Sequence, residues 1–236
     1  MKVALIPMRV KVNDFEANWQ EFKRKFEEAL KYKPDILVFP EYCLTGFKEW
    51  DFSGAKLYDE IIQKVSKLAK ENSVYVIFGL LEPYKNCIYN SALLISRDGE
   101  IILKHRKFQE PMKFCTGNTV KTAKTELGKF AVIICGDLYN KRIAKWVKHK
   151  KSDYLFVPMD YSPENLDLEK EIKCMSERVK ILRVKTFIVN TYKHWNSFGG
   201  AWVFDKDGKL LVQSFKDEIL SYEEVGRDGD SKVCNR

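Results

Sequence analysis

A short apolar strand enclosed by polar and proline residues is the feature that most constrains the fold of this chain. Residues 36–39 read Ile-Leu-Val-Phe and stand between Asp35 and Pro40. Because successive side chains of a strand point to opposite faces, four apolar residues in a row require cover on both faces of the sheet. Residues 33–40, KPDILVFP, are echoed by residues 151–158, KSDYLFVP. The echo favours two similar α/β halves.

Hydrophobic periodicity around these strands alternates between helix and strand patterns. The first helix is predicted to begin with a capping box formed by Asn13 and Glu16, ahead of an apolar stripe that ends at Leu30. The predicted strands are 3–7, 35–40, 74–81, 88–96, 100–104, 130–135, 153–157, 187–190, 201–204 and 209–213. The other predicted helices are 57–71, 140–149 and 168–184.

Two sheets that each carry helices on one face must bury their other faces against each other. The sequence therefore predicts an α/β fold, a four-layer α-β-β-α sandwich of two packed mixed sheets. We find no linker rich in proline, glycine or serine, so we expect residues 1–236 to form a single domain.

Charge and hydropathy exclude several classes of function. The 236 residues include 41 Lys and Arg against 33 Asp and Glu, a formal net charge of +8. The lysines alternate with acids, as in residues 21–28, which is typical of a solvated helix surface and not of a nucleic-acid interface. No run approaches the roughly 18 apolar residues of a membrane span, and the apolar start at residues 1–7 is too short for a secretory signal. We expect a cytoplasmic protein with no nucleic-acid or membrane partner.

Cysteine and glycine patterns give no support for a metal or a nucleotide. The chain has six cysteines, which are scattered and have no Cys-x-x-Cys spacing, so free thiols are expected rather than a disulfide framework. Its three histidines lie far apart, and neither Gly-x-Gly-x-x-Gly nor a phosphate-binding loop occurs. We expect no cofactor and no metal.

Three polar residues follow apolar strands, where active sites of α/β sheets gather. Glu41 ends the first enclosed strand, Lys107 closes the run 101–107, and Cys135 ends the run 132–135. Taken alone, each residue could have a purely structural role, as a loop carboxylate, a surface lysine or a buried thiol. Their occurrence together indicates nucleophilic catalysis, because a thiol needs a base to remove its proton and a cation to stabilise an oxyanion.

These residues lie in short motifs that resemble those of the nitrilase, or carbon–nitrogen hydrolase, superfamily, in its amidase-like branch. The motifs that would carry the catalytic residues are Phe39-Pro40-Glu41, Arg106-Lys107 and Ile134-Cys135-Gly136-Asp137. The flanking motifs that also match are Leu44-Thr45-Gly46, Tyr89-Asn90-Ser91-Ala92, Phe114-Cys115-Thr116-Gly117-Asn118, Arg178 with Asn190, and Gly199-Gly200. The αββα sandwich of that family is the architecture predicted above from element order.

The resemblance implies a role for each residue. Cys135 would be the nucleophile, Glu41 the base, and Lys107 with the amide of Gly136 the donors to an oxyanion. A second glutamate of the family corresponds to Glu110, seven residues before Gly117, and would hold Lys107. Tyr42, Met159 and Asp160 follow strand ends and are candidates for substrate contact. Specificity is expected to reside in loops 48–54, 109–117 and 159–166.

The resemblance also implies the reaction. We expect hydrolysis of a small linear amide, of the ω-amide or N-carbamoyl type, through an acyl-enzyme with release of ammonia or amine; nitriles are a minority expectation. A homodimer or higher homo-oligomer is expected by the same resemblance. The chain departs from the family at Gln109, where many members have His, and at Gly136, where many have an aromatic residue.

Two alternatives remain open on sequence alone. Cys135 could pair with His194 or His149 in a cysteine–histidine hydrolase, because residues distant in sequence can meet in the fold. The departures at Gln109 and Gly136 also allow a non-catalytic binding or assembly protein on the same fold.

Overall fold

The structure is a computed structural model, and it describes residues 1–47, 51–110, 113–224 and 232–234. Parts of two loops predicted to set specificity, residues 48–50 and 111–112, lie outside the described residues. The helices are α1 Phe15–Leu30, α2 Tyr58–Asn72, α3 Lys141–Lys150 and α4 Leu168–Leu182. The strands are β1 Lys2–Leu5, β2 Ile36–Val38, β3 Tyr75–Tyr84, β4 Cys87–Ile95, β5 Ile101–Arg106, β6 Thr122–Thr125, β7 Gly128–Val132, β8 Tyr154–Met159, β9 Lys185–Asn190, β10 Ala201–Phe204, β11 Leu210–Ser214, β12 Leu220–Glu223 and β13 Lys232–Cys234.

These strands form two mixed sheets. The first has the order β13-β12-β1-β2-β3-β4-β5 and the second the order β11-β10-β9-β8-β7-β6. In each sheet the three central strands are parallel, β1-β2-β3 in one and β7-β8-β9 in the other, and the outer strands are antiparallel. The carboxyl ends of the parallel strands therefore lie at one edge of each sheet.

Three apolar clusters separate four layers and confirm the predicted α-β-β-α sandwich. The central cluster joins side chains of both sheets, such as Ile36 and Val38 from one and Phe156 and Phe187 from the other. The opposite face of the first sheet packs against α1 and α2, and that of the second against α3 and α4. Leu37, between Ile36 and Val38, points to the helices, so the enclosed strand is covered on both faces as its sequence requires. Within the described residues no helix is long and apolar enough to cross a membrane.

Several local expectations are corrected by the structure. The N-cap of α1 is Asp14, whose carboxylate accepts a hydrogen bond from the amide of Ala17 at 3.1 Å. The capping box predicted for Asn13 was wrong, because Asn13 has a left-handed φ of 51° and its side chain donates to Asp51. Three strands were missed: β6, β12 and β13. Of these, β12 pairs with β1 and extends the first sheet beyond its parallel core.

The expectation that all six cysteines are free thiols was wrong for one pair. Cys87 and Cys115 form a disulfide with their Cα atoms 5.7 Å apart. The backbone brings them together, since the amide of Cys115 donates to the carbonyl of Ile88 at 2.9 Å. A contact across 28 residues depends on the return path of a loop, which spacing in the sequence does not reveal.

Candidate active site

Four loops that leave the carboxyl ends of strands meet at one place between the two sheets. Glu41 follows β2, Lys107 follows β5, Cys135 follows β7 and Asp160 follows β8. This convergence follows from the topology, because parallel strands of a sheet end at the same edge. The two sheets bring their edges together, so residues from both halves of the chain share the site.

Glu41 is the centre of the hydrogen-bond network. Only 1% of it is exposed, and its Oε1 accepts from Lys107 Nζ at 2.9 Å and from Asn90 Nδ2 at 2.6 Å. Its Oε2 accepts from the amide of Asp160 at 2.8 Å. Burial raises the pKa of Glu41 above its ordinary value, and the Lys107 ammonium pulls that pKa downward. A buried carboxylate with a raised pKa is suited to accept a proton.

A glycine on the neighbouring strand makes room for the Glu41 backbone. A Cβ atom at Gly79 would lie 2.7 Å from Cα of Glu41 and 3.0 Å from the amide nitrogen of Tyr42. Both contacts are with backbone atoms, so they could be relieved only by moving the segment that carries Glu41. A residue without a side chain is therefore required at position 79.

Lys107 is held between two carboxylates. Its Nζ lies 2.9 Å from Oε1 of Glu41 and 2.9 Å from Oε1 of Glu110. Burial lowers the pKa of Lys107, but the carboxylates of Glu41 and Glu110 outweigh it and raise the pKa well above the ordinary value. The ammonium therefore stays charged and is available to stabilise negative charge on a bound oxygen atom.

Cys135 begins a short 3₁₀ turn that follows β7 after two intervening residues. Its φ of 45° is in the left-handed region, where a non-glycine residue is uncommon. Such a strained backbone often marks a functional position, because it directs a side chain away from the regular strand. The Sγ atom lies 4.0 Å from the carbonyl oxygen of Asp160. Burial raises the pKa of the Cys135 thiol, Glu41 raises that pKa further and Lys107 lowers it, so the resting group is a thiol that needs a base.

The sequence analysis placed Asn90 only in a flanking motif of the family and did not predict its contacts with the site. Its Nδ2 donates to Glu41 and also to Oε1 of Glu110. The two carboxylates thus share one amide as well as one ammonium. In the sequence, the available signal was the match of Tyr89-Asn90-Ser91-Ala92 to the family motif. In the structure, the amide of Lys107 donates to the carbonyl of Asn90 at 2.8 Å, which holds the two residues side by side.

A buried histidine–aspartate pair links β5, the strand that precedes Lys107, to the turn that begins at Cys135. Nε2 of His105 lies 2.7 Å from Oδ2 of Asp137, and both residues are at most 1% exposed. Oδ1 of Asp137 accepts from the amide of Phe108 at 2.9 Å, and Oδ2 accepts from the amide of Ile134 at 3.2 Å. Asp137 therefore fixes the positions of two segments that flank Lys107 and Cys135.

The remaining candidates for substrate contact lie around this centre. The Tyr42 hydroxyl donates to Glu110 at 3.3 Å, and Tyr42 belongs to an aromatic cluster whose other members are Phe47, Phe52 and Phe114. Met159 has its side chain in the core, while its carbonyl oxygen accepts from the amide of Glu41 at 3.3 Å. Gly136 follows Cys135 directly, and a Cβ atom placed there would have no protein atom within 4 Å apart from its chain neighbours.

Neither histidine considered as a partner for Cys135 is placed to act as its base. His149 is exposed on α3. His194 is completely buried, and its Nδ1 lies 2.6 Å from Oδ2 of Asp160. The Nε2 of His194 accepts from the amide of Phe47 at 3.2 Å. Because both ring nitrogens are engaged elsewhere, the geometry favours Glu41 over histidine as the base.

The disulfide closes the loop that carries Glu110 and Phe114. The amide of Gly117 donates to the carbonyl of Lys107 at 2.8 Å, so the loop returns to its starting point. Cys115 lies just before Gly117 and is bonded to Cys87 at the start of β4. The covalent link therefore restrains one wall of the site.

Removing this link is expected to lower both stability and activity. A disulfide that closes a loop of 28 residues is worth about 3–4 kcal/mol of unfolding free energy. We expect Cys115→Ser to lower the unfolding free energy by that order and to lower kcat, because Glu110 loses its fixed position. Urea unfolding without reductant measures the first effect and amide turnover the second.

Cys174→Ser is the matched control, because Cys174 is a free and partly buried thiol on α4. Treating the unsubstituted protein with dithiothreitol should reproduce the behaviour of the Cys115→Ser protein. An unfolding midpoint that is the same with and without reductant would contradict the prediction.

Comparison with known proteins gives a consistent result. Residues 2–228 match the model of the carbon-nitrogen hydrolase family. An omega-amidase of Saccharomyces cerevisiae is 25% identical over 95% of this chain and 87% of its own length, and an omega-amidase of Mus musculus is 25% identical over 84% and 79%. The fold resembles that of an amidase from Nesterenkonia sp. AN1 with a TM-score of 0.85, at 15% identity over 95% of this chain and 93% of the other. That structure is of a mutant of the amidase, with acrylamide added at the active-site cysteine.

Proposed function

The chain belongs to the carbon–nitrogen hydrolase family, and on this premise we propose that it hydrolyses a small linear amide through an acyl-enzyme on Cys135. The observation that carries the proposal is the buried contact of Lys107 with both Glu41 and Glu110, beside a thiol in a left-handed turn. An ω-amide or an N-carbamoyl compound is the proposed substrate class. The curated relatives described as omega-amidases favour the first of these.

In the first half of the reaction, Glu41 takes the proton of the Cys135 thiol as Sγ attacks the amide carbon. The negative charge passes to the carbonyl oxygen, where Lys107 Nζ and the amide of Gly136 are the proposed donors. The carbon–nitrogen bond then breaks, and Glu41 returns the proton to the leaving nitrogen. Ammonia or an amine departs, and the acyl group remains on sulfur as a thioester.

In the second half, water attacks the thioester carbon. Glu41 takes a proton from that water, the carbon–sulfur bond breaks, and the proton returns to sulfur. The products are a carboxylic acid and the regenerated thiol. Glu110 and Asn90 hold Lys107 and Glu41 in place through both halves. Every proton transfer uses one carboxylate whose pKa burial has raised.

The proposal is tested by ammonia release from a panel of ω-amides, N-carbamoyl compounds, simple aliphatic amides and nitriles. We expect release from at least one amide class, and a rapid-quench mass spectrum should show the protein carrying the acyl group of that substrate on Cys135. Release without any acyl adduct would contradict the covalent mechanism. Tight binding of a panel compound without release would instead favour the binding-protein alternative.

The pH dependence of turnover follows from the pKa of Glu41. A base must be deprotonated, and burial raises the pKa of Glu41 above its ordinary value of 4.5. We therefore expect kcat/KM to fall as the pH drops, with a midpoint above 4.5. A kcat/KM profile from about pH 4 to about pH 9 measures this limb. A midpoint at or below the ordinary carboxyl value would contradict the assignment of Glu41 as the base.

Three further features of the protein are proposed: one catalytic domain over residues 1–236, a cytoplasmic location, which rests on the sequence pattern, and a homodimer or higher homo-oligomer, which rests on the family resemblance. Supporting the first is the family match from residue 2 to residue 228, which spans both sheets. Sedimentation velocity of the purified protein tests the third.

A further inference from the structure

We propose that His194 is a positioning residue that couples the aromatic wall of the site, formed by Tyr42, Phe47, Phe52 and Phe114, to the catalytic base Glu41. The proposal rests on the proposed function in that it takes Glu41 as the base. His194 is a fully buried titratable group for which the reaction itself has no use. Its two ring nitrogens contact two different parts of the site.

The first contact reaches the base through Asp160. His194 Nδ1 lies 2.6 Å from Oδ2 of Asp160, and Thr191 Oγ1 donates to the other carboxylate oxygen. The carboxylate of Asp160 is thus fixed on both sides. The backbone amide of the same residue donates to Oε2 of Glu41 at 2.8 Å, and its carbonyl oxygen lies 4.0 Å from Cys135 Sγ. A shift of Asp160 would therefore move a hydrogen-bond donor away from Glu41.

The second contact reaches the aromatic wall. The amide of Phe47 donates to His194 Nε2 at 3.2 Å, and the carbonyl oxygen of Phe47 accepts from Trp195 Nε1 at 3.0 Å. Phe47 stacks on Tyr42 and packs against Phe114. The loop that carries Phe47 is thus held by two consecutive residues of the loop that follows β9.

These contacts define the protonation state of the imidazole. A backbone amide can only donate, so Nε2 must be the unprotonated acceptor and Nδ1 must carry the proton given to Asp160. The loop around His194 is itself anchored, because the amide of His194 donates to Ser197 Oγ and the amide of Ser197 donates to the carbonyl of His194. His194 is therefore a fixed bridge with one donor and one acceptor.

Two substitutions separate the two contacts. Asn in place of His194 retains an amide group near the Nδ1 position, so it keeps a donor for Asp160 and loses the acceptor for Phe47. Gln retains an amide group near the Nε2 position, so it keeps the acceptor for Phe47 and loses the donor for Asp160. Each substitution removes one hydrogen bond, which corresponds to a change of about fivefold in an equilibrium or rate.

We expect His194→Asn to raise KM about fivefold with little change in kcat, because Phe47 then loosens against Tyr42, the candidate for substrate contact. We expect His194→Gln to lower kcat about fivefold with little change in KM, and to move the acid limb of kcat/KM to higher pH, because Glu41 loses a well-placed donor. Hydrogen exchange at the Phe47 amide, followed by NMR, should be faster in His194→Asn and unchanged in His194→Gln. The same two substitutions at His149, exposed on α3, serve as controls and should change none of these quantities.

Equal kinetic effects of the two His194 substitutions, with no change of the acid limb, would overturn the proposal. So would unchanged Phe47 exchange in His194→Asn. If no amide is hydrolysed by the unsubstituted protein, the proposed function fails, and the exchange measurement still decides whether His194 holds the Phe47 loop.

Discussion

Replacing Cys135 with Ala is expected to lower kcat/KM for the best amide by about 10⁴-fold or more, because the acyl group then has no atom to which it can transfer. The substitution removes only Sγ. Because Ala has a Cβ atom as Cys does, the left-handed backbone at φ 45° is equally strained in both proteins. The variant should therefore unfold at nearly the same temperature as the unsubstituted protein, and the loss of ammonia release should be a loss of chemistry alone.

The other free thiols provide matched controls for this experiment. Cys43 is fully buried and Cys174 is partly buried, and both remain unpaired in the described part of the chain. Cys174→Ala should retain turnover within a factor of about two. Cys43→Ala should cost about 1–2 kcal/mol of stability through the cavity it leaves, again with turnover retained. Turnover that survives in Cys135→Ala would overturn the nucleophile assignment.

The sequence predicted the parallel cores of both sheets because their strands are short, apolar and bounded by prolines or turns. It did not predict β6, whose sequence Thr-Ala-Lys-Thr has no apolar run, or β12, whose pairing with β1 joins residues more than 200 positions apart. Strand order across such distances depends on tertiary packing, which local periodicity does not encode.

Glu41 and Lys107 were predictable because each follows the end of a strand and also lies in a motif of the family. The partners Asn90 and His194 were harder to assign. Asn90 lies within a strand, and its role becomes visible only when its side chain is seen to donate to Glu41 and Glu110. His194 was considered as a base for Cys135, and only the structure places its two nitrogens against Asp160 and Phe47. The chemistry of a side chain is readable from sequence, whereas its hydrogen-bond partners depend on the fold.

Replacing Lys107 with Met is expected to have the second-largest effect. It removes the ammonium that Glu41 and Glu110 share, so two buried carboxylates face each other without a cation. We expect kcat/KM to fall by about 10²–10³-fold from the lost oxyanion donor, and the unfolding free energy to fall by about 3–5 kcal/mol. Loss of Lys107 also removes the charge that lowers the pKa of Glu41, so the acid limb of any remaining activity should move to higher pH.

Lys104→Ala separates these effects from a general loss of stability. Lys104 lies on β5, the strand that Lys107 follows, and its Nζ is 2.7 Å from Oε1 of the buried Glu82. Glu82 keeps Arg106 and Ser91 when Lys104 is removed, so the fold should weaken modestly while kcat/KM stays unchanged. Adding Glu110→Gln to Lys107→Met should then restore part of the stability, because one uncompensated charge is neutralised, without restoring turnover. Recovery of turnover in that double variant would show that Lys107 serves only to hold the carboxylates in place, and the oxyanion role would have to be withdrawn.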